Sequence, residues 1–326
     1  MNETTKAPEA PRKIGAQRPQ TRLSKLFDNR WVGLVGLLIA LLVPFVNASN
    51  YTMSIMTTAA VFVMLASGLN IVVGFTGLLD LGYAAFFAVG AYTSGVLATR
   101  FDLPLVATVP AVIVVTVIAG VIIGAPTLRL RSDYLAIVTL GFGEIIRITA
   151  NNLPVTGGPS GIYGIPGLTD SPVSLYFVTV VIVAIAVIGA SRLGRSRLGR
   201  AMRFVREDED AAEATGVHTY RVKLAAYIAG AVWGGLAGVL FAGQVSAISP
   251  NSFTFLYSAT VLMAVVLGGM GSVPGVVLGA IIISLLPELL RDAADYRFFI
   301  FGVLLIIVMI VRPQGLWPAR SKEALK

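Results

Sequence analysis

The chain has 326 residues, of which 56% are hydrophobic and 13% are charged, against roughly 45–50% and 25% in a soluble domain. This composition and a mean hydropathy of +0.82 exclude an ordinary soluble enzyme and indicate an integral membrane protein. The net charge of +8 fits orientation in a lipid bilayer better than nucleic-acid binding, and the absence of Cys with a single His, His218, excludes zinc-thiolate and Cys-nucleophile chemistry.

Charge-free stretches locate the predicted membrane helices, because a helix needs about 20 apolar residues to cross a hydrocarbon core of about 30 Å. Residues 31–79, 81–99, 103–128 and 224–287 carry no charged side chain. We therefore predict an all-α fold, a polytopic transmembrane helix bundle of eight to ten membrane segments. The ten candidate helices are 31–46, 51–73, 80–99, 103–124, 134–150, 174–190, 224–243, 254–270, 274–289 and 297–311.

Lys and Arg, which collect on the cytoplasmic side of membrane proteins, concentrate in four segments that ten crossings would place on one side. These are 1–30 with seven, 125–133 with two, 191–223 with eight and 312–326 with four, whereas the opposite loops 47–50, 151–173 and 244–253 have none. Both termini are thus predicted to be cytoplasmic. The expected organisation is a disordered basic tail 1–30, a transmembrane domain 31–311 that contains the cytoplasmic loop 191–223, and a cytoplasmic tail 312–326.

Two glycine-interrupted segments, GFTGLLDLG at 74–82 and GGMGSVPG at 268–275, lie in the two halves of the chain. Paired broken helices indicate internal repeats around a transport path, although small residues also make tight turns and close helix contacts. Asp80 lies in the first segment, and charges within a membrane mark either a pathway or a stabilising pair. We interpret Asp80 first as the N-terminal cap of the next helix, and otherwise as part of a translocation path or gate.

Glu144 and Arg147 are the next charged residues within a predicted helix. At a spacing of three they share one helix face and can pair with each other. They form either a structural ion pair or part of the lining of a translocation path.

The loop 151–173 is rich in Gly and Pro, carries only Asp170 as a charge and is longer than a simple turn. Its backbone N–H groups could bind a substrate carboxylate that enters from outside. The candidate donors are Thr156, Gly157, Gly158 and Gly161. The loop could equally be a docking or gating surface for a binding protein, or a flexible connector.

The loop 191–223 carries an amphipathic pattern. Apolar residues recur at the i, i+3, i+4, i+7 spacing of one helix face, with arginines on the other faces. The apolar residues are Leu198, Ala201, Met202 and Val205, and the arginines are Arg197, Arg200, Arg203 and Arg206. The pattern predicts a basic amphipathic helix lying on the membrane surface.

A second, shorter helix is predicted to follow. Asp210 is placed to cap it, Glu213 completes a capping box and Gly216 provides the C-terminal stop. Held between membrane helices, it could fit a groove on a separate cytoplasmic protein, with exposed carboxylates as anchors. Those carboxylates are Glu207, Asp208, Glu209 and Asp210. The alternative is a solvated acidic loop that neutralises its own arginines.

Four blocks of the chain, between about residues 51 and 316, resemble the LivM-type permeases of branched-chain amino acid ABC importers. They are GLNIVVGFTGLLDLGYAAFFAVGAYTSGVLA at 68–98, TLGFGEIIRITANNLPVTGGPSGIYGIPG at 139–167, GRAMRFVREDEDAAEATGV at 199–217 and LGGMGSVPGVVLGA at 267–280. Asp210, Ala211, Ala212 and Gly216 resemble the EAA-x-x-x-G coupling motif of ABC importer permeases, with Asp in place of Glu. Asp80 and Tyr83 stand where Ser and His are more usual in the family.

The resemblance implies a multi-pass subunit of an ATP-driven importer in the bacterial inner membrane. The implied partners are a LivH-like second permease, two cytoplasmic ABC ATPases and an extracytoplasmic substrate-binding protein. The implied ATPase-coupling residues are Arg206, Glu207, Asp208, Glu209, Asp210, Ala211, Ala212 and Gly216. The chain contains no G-x-x-x-x-G-K-[ST] phosphate loop, so ATP hydrolysis is expected on partner chains.

The expected function is inward transport of Leu, Ile and Val by alternating access, with no catalytic residue, metal or cofactor on this chain. The same machine could carry urea, amides or other amino acids. A stand-alone secondary transporter or channel would need its own ion-coupling residues at mid-membrane, where this chain offers Asp80 and the self-compensating pair of Glu144 and Arg147.

Overall fold

The computed structural model describes residues 49–129, 132–169 and 171–289, with the backbone alone at 132 and 133. It also describes scattered positions nearer the two ends, namely 36, 38, 40–42, 44, 296, 302–303, 306, 310–312 and 315–318. The predicted helices 31–46 and 297–311 and the predicted tails 1–30 and 312–326 lie largely or wholly outside these residues, as does Asp170.

The described chain folds as an all-α helix bundle. Its helices are α1 (Asn50–Leu69), α2 (Ala84–Arg100), α3 (Leu105–Thr127), α4 (Ser132–Asn152), α5 (Pro172–Arg195), α6 (Arg197–Glu207), α7 (Glu209–Ala214), α8 (Thr219–Val245), α9 (Phe255–Gly268) and α10 (Val273–Leu289). A π-helical turn, Asn70–Gly74, extends α1. Single 3-10 turns lie at Pro154–Thr156, Gly158–Ser160 and Pro250–Ser252.

Five stretches of the described residues are long and apolar enough to cross a membrane. They are Asn50–Gly74, Leu105–Thr127, Pro172–Arg195, Thr219–Val245 and Pro250–Gly268, and Val273–Leu289 is a shorter apolar helix. Each overlaps a predicted crossing. The largest differences lie where α5 and α8 continue beyond the apolar run, through Arg192 and Arg195 in one case and Lys223 in the other.

Helix α8 packs against both α1 and α2 at the centre of the bundle, and glycines let each of them approach α8 closely. A Cβ at Gly90 of α2 would lie 2.5 Å from the Cα of Gly235 in α8, the kind of contact that small residues permit between membrane helices. Phe87, about one helical turn before Gly90 in α2, is fully buried. Its ring centroid lies 5.1 or 5.2 Å from those of Phe241, Phe253 and Tyr257.

The first glycine-interrupted segment separates α1 from α2. The π-turn ends at Gly74 and two further helical residues follow it. Helix α2 begins at Ala84, later than the predicted start at 80. The intervening backbone runs directly against α4. A Cβ at Gly82 would lie 2.6 Å from the carbonyl carbon of Thr139, and the Leu81 N–H donates to the Thr139 hydroxyl at 3.1 Å.

The start of α2 is capped from elsewhere in the chain. The N-cap residue is Tyr83, whose side chain makes no capping bond, and the Ala84 N–H donates to Ser258 Oγ of α9 at 2.8 Å. Asp80 instead accepts a hydrogen bond from the Gly82 N–H at 2.8 Å, within the turn that precedes the helix. The interpretation of Asp80 as the helix cap is therefore wrong.

The loop before α5 and the segment after α8 are joined by a short antiparallel pair. Strand β1 (Ile162–Tyr163) pairs with β2 (Ala247–Ile248), with Ile162 opposite Ile248. This pairing fixes the 151–173 loop against the end of α8.

Candidate coupling site

Helix α6 is amphipathic, as its sequence pattern predicts. Ser196 begins the helix by accepting a hydrogen bond from the Gly199 N–H at 3.1 Å, as an N-cap residue does. Met202 and Val205 are buried in a small core on its apolar face. The other buried members of this core are Ile71, Phe75, Ala190, Ala212, Val222 and Ala226. Protein rather than lipid therefore covers Met202 and Val205, and the position of α6 on the membrane surface stays a prediction.

Helix α7 begins earlier than its predicted cap. Asp208 has an extended backbone, and its Oδ1 accepts a hydrogen bond from the Ala211 N–H at 2.9 Å. Asp210 lies inside the first turn, so the predicted capping box of Asp210 with Glu213 is wrong. An acidic residue in a first turn still interacts favourably with the helix dipole.

The predicted C-terminal stop at Gly216 is confirmed. The Gly216 N–H donates to the Glu213 carbonyl at 2.9 Å, and the Val217 N–H donates to the Ala212 carbonyl at 3.0 Å, which is the Schellman arrangement. Gly216 has a φ of +87°, a left-handed conformation that glycine adopts without the steric penalty of a Cβ. The chain can therefore turn from α7 directly towards α8.

One side of α7 is fixed to the rest of the protein. Ala212 is completely buried, in the same small core as Met202 and Val205. Glu209 forms an ion pair with Lys223 near the start of α8, and the Lys223 side chain is buried. Packing and charge thus hold the short helix at two points.

The other side of α7 faces outward. Glu207, Asp210 and Glu213 are exposed, whereas Ala211 is half-buried. Among the predicted anchors, Asp208 is used as the helix cap and Glu209 in the ion pair. Glu213 therefore joins Glu207 and Asp210 as an acidic group available to another protein.

Arg206 connects α6 with the end of α1. Its guanidinium donates a hydrogen bond to the carbonyl oxygen of Gly74, the last residue of the π-turn. Its Cγ lies 3.0 Å from the position that a Cβ on Gly77 would occupy. The candidate coupling site therefore touches the first glycine-interrupted segment.

Asn70 joins the π-turn that leads into the first glycine-interrupted segment to the second segment. This residue is fully buried in the π-turn, and its Oδ1 accepts a hydrogen bond from the Gly271 N–H at 2.8 Å. Neither Asn70 nor Lys223 is among the site residues predicted from the sequence. The available signals were a polar residue within an apolar run just before a glycine break, and a lysine at the edge of a membrane helix.

Glu144 and Arg147 pair with each other near the middle of α4, as their spacing predicts. The Arg147 Nε lies 3.0 Å from both carboxylate oxygens of Glu144. The exposed fractions are 27% for the Arg147 side chain and 42% for the Glu144 side chain. The described part of the chain therefore leaves this face of α4 partly uncovered.

The backbone donors of the 151–173 loop are engaged within the loop. Each of the four predicted N–H groups donates to a carbonyl of residues 153–158 at 3.1–3.3 Å. They are Thr156, Gly157, Gly158 and Gly161. The prediction that these groups are free for a substrate carboxylate is wrong in this conformation.

The same loop exposes apolar side chains. The exposed fractions are 46% for Leu153, 48% for Val155 and 68% for Tyr163. Tyr163 also lines a cavity of about 500 Å³ beside the turn from α2 to α3. The loop thus presents apolar side chains at the surface of the described chain.

A family profile and the similar proteins found by comparison agree on one family. A profile described as the permease component of branched-chain amino acid transport systems matches residues 51–309. The high-affinity branched-chain amino acid transport system permease protein LivM of Salmonella typhimurium is 42% identical over 312 residues, which cover 86% of this chain and 73% of that protein. The LivM protein of Escherichia coli is 42% identical over 316 residues, covering 86% and 74%.

A second permease type matches a shorter region. The permease protein LivH of Escherichia coli is 34% identical over 119 residues, which cover 36% of this chain and 38% of LivH. No solved structure matches the chain.

Proposed function

The chain belongs to the permease family of branched-chain amino acid transport systems, and we propose that it is the LivM-type permease subunit of an ABC importer for leucine, isoleucine and valine. The relatives that are 42% identical carry that transport in their names. In this role the chain forms part of the membrane passage and receives its energy from partner subunits.

The geometry of α7 is the observation that carries the proposal. A short helix is fixed to the bundle by the buried Ala212 and by the ion pair of Glu209 with Lys223. Its opposite side exposes Asp210 and Glu213. A rigid, acid-bearing helix between two membrane helices is suited to receive a push from a docked protein and to pass it on to the bundle.

The proposed partners follow from the family. A LivH-like second permease pairs with this chain, two ABC ATPases dock on the cytoplasmic face, and an extracytoplasmic binding protein delivers the amino acid. The match to both LivM and LivH proteins supports the permease pair. The exposed apolar side chains of the 151–173 loop, led by Tyr163, support docking of the binding protein on the opposite side.

The proposed topology has ten crossings in the bacterial inner membrane, with both termini in the cytoplasm. The Lys- and Arg-rich segments 1–30, 191–223 and 312–326 support this orientation. The transmembrane permease domain is then 31–311, and α6 and α7 lie in its cytoplasmic loop.

The proposed mechanism is alternating access. ATP-driven closure of the ATPases presses on α7, and Arg206 carries the displacement to the break after α1. Glu144 and Arg147 are proposed to line the passage, because a charged pair near the middle of a helix is unstable against lipid and the described chain covers this pair only in part. Asp80 and the 156–161 turn are proposed to lie at the gates on the two sides.

The test is ATP-driven leucine uptake by the complete importer in proteoliposomes. Ala212→Arg should abolish uptake, because no space exists for the side chain in the core beneath α7. Ala212→Ser is the matched control, since its small hydroxyl can bond to the carbonyl of the preceding turn. Normal uptake by Ala212→Arg with normal ATPase docking would contradict the coupling role, and leucine uptake without any ATPase would indicate a secondary transporter instead.

A further inference from the structure

The π-turn Asn70–Gly74 is an unusual feature of the best-buried helix. All five residues are buried, and π-turns are rare elements that occur frequently at functional sites. The turn begins with Asn70, a polar side chain with no exposed surface. A polar group in such a place is unfavourable unless its hydrogen bonds are made.

Asn70 makes only part of its possible hydrogen bonds. Its Oδ1 accepts from the Gly271 N–H at 2.8 Å, and this bond joins positions 201 residues apart. Its Nδ2 has no partner among the described residues. A side chain that serves stability alone would be expected to satisfy both ends of its amide.

The other end of the π-turn is held by Arg206. This side chain donates to the Gly74 carbonyl and packs along Gly77. One short turn therefore contacts the candidate coupling site at Gly74 and the second glycine-interrupted segment through Asn70.

The two contacts share the space at Gly74. A Cβ on Gly74 would overlap the Asn70 Oδ1 and lie 2.5 Å from the Gly271 nitrogen. Arg206 thus donates to the carbonyl of Gly74. Gly74 in turn packs against the hydrogen bond between Asn70 and Gly271. Gly74 and Gly271 therefore lie close together, with the Asn70 Oδ1 beside both.

We propose that Asn70 is a positioning residue for energy coupling: it locks the 269–272 turn to the π-turn, so that a displacement of α6 and α7 moves both glycine-interrupted segments together. The inference rests on the proposed ATP-driven import. Arg206 transmits the displacement, Gly74 receives it, and the Asn70 side chain extends it to the turn between α9 and α10.

The test measures leucine uptake per ATP hydrolysed in the complete importer, reconstituted in proteoliposomes. Asn70→Leu replaces the amide by an apolar side chain of similar size and removes the acceptor for Gly271. We expect normal assembly and ATP hydrolysis, with uptake per ATP reduced about tenfold, a typical coupling effect. Removal of the unpaired Nδ2 offsets part of the cost of leaving the Gly271 N–H without its acceptor, so the melting temperature should fall only slightly.

The matched control is Thr57→Val in α1. Thr57 is buried like Asn70, but its hydroxyl donates only to the Met53 carbonyl of its own helix at 2.7 Å. Uptake per ATP should remain at the wild-type value. Arg206→Met should be uncoupled like Asn70→Leu, and the double variant should be no worse than either single variant, because the two act in series.

Wild-type uptake per ATP in Asn70→Leu would overturn this inference alone, whereas a wild-type complex without ATP-driven leucine uptake would overturn the proposed function and this inference with it. If Asn70→Leu fails to assemble, Asn70→Asp decides. It keeps the Oδ1 acceptor, and a carboxyl buried at this position is neutral rather than charged, so uptake per ATP should stay within about threefold of wild type. An uncoupled Asn70→Asp would contradict the role of the acceptor.

Discussion

Lys223 lies at the start of a membrane helix with its side chain buried, and its ammonium group pairs with Glu209 in the first turn of α7. The two partners are not equivalent, because the Glu209 side chain is 46% exposed and the Lys223 side chain is 8% exposed. Because of this asymmetry, removing one partner should change the stability of the protein more than removing the other.

Glu209→Ala should destabilise the protein more than Lys223→Met. The first leaves a buried ammonium group unpaired, at a cost of roughly 1–3 kcal/mol. The second removes the buried charge and lets Glu209 turn to water, at a cost of at most about 1 kcal/mol. Melting temperatures of the two purified variants in nanodiscs measure the difference, and a lower value for Lys223→Met would contradict the assignment.

Gly216→Ala should destabilise α7 through its backbone conformation alone. No atom lies within 4 Å of the position of a Cβ there, so the expected cost of about 1–2 kcal/mol comes from the left-handed φ. Gly141→Ala is the control, because its Cβ would also meet nothing within 4 Å, but it lies in α4 with helical φ. Alanine there should be neutral or stabilising by up to about 1 kcal/mol.

Hydrogen exchange of residues 209–217 measures the effect at Gly216. Faster exchange in Gly216→Ala and unchanged exchange in Gly141→Ala are expected. Equal exchange rates in the two variants would show that the stop at Gly216 contributes nothing.

Thr139→Val should destabilise the contact between α4 and the break after α1. The hydroxyl of Thr139 accepts a hydrogen bond from the Leu81 N–H, and loss of this hydroxyl leaves a half-buried donor unsatisfied, at about 1 kcal/mol. Thr116→Val is the matched control, because the buried Thr116 hydroxyl donates only to carbonyls of its own helix. Thermal unfolding should separate the two variants, and equal melting temperatures would contradict the contact.

Variants of the Glu144 and Arg147 pair should affect both the amount of inserted protein and leucine uptake. If α4 crosses the membrane, as the proposed topology has it, Glu144→Gln leaves Arg147 unpaired there, at roughly 2.5–3.5 kcal/mol on insertion scales, so the amount of inserted protein should fall. The double variant Glu144→Gln/Arg147→Gln should insert normally, yet its leucine uptake should be reduced if the pair lines the passage. Normal uptake by the double variant would assign the pair a purely structural role.

The sequence predicts the bundle because long charge-free stretches have few alternatives to membrane helices. Helix ends are less predictable. Asp208 and Asp210 are both suitable caps, and the choice between them is made by the extended backbone at Asp208. The amphipathic face of α6 is equally clear, but a pattern cannot distinguish lipid from protein as the surface that covers Met202 and Val205.

The contacts that build the candidate site depend on distant parts of the chain. Arg206 and Gly74 are 132 residues apart, and no local rule pairs an arginine with a particular carbonyl. The prediction of free N–H donors in the 151–173 loop is wrong for a different reason. Its glycines do turn the backbone as expected, but the turns consume the N–H groups at 156–161 that were expected to remain free.

The π-turn also has a consequence for the face that α1 presents to its neighbours. A π-turn holds one residue more than the corresponding stretch of α-helix, and each residue of an α-helix turns the chain by about 100°. Deleting a single residue between 70 and 74 would restore a regular helix and rotate the whole preceding length of α1 by about that angle. Met53, Val61 and Met64, now in the interior, would swing away from it, so one surplus residue sets the orientation of a twenty-residue helix.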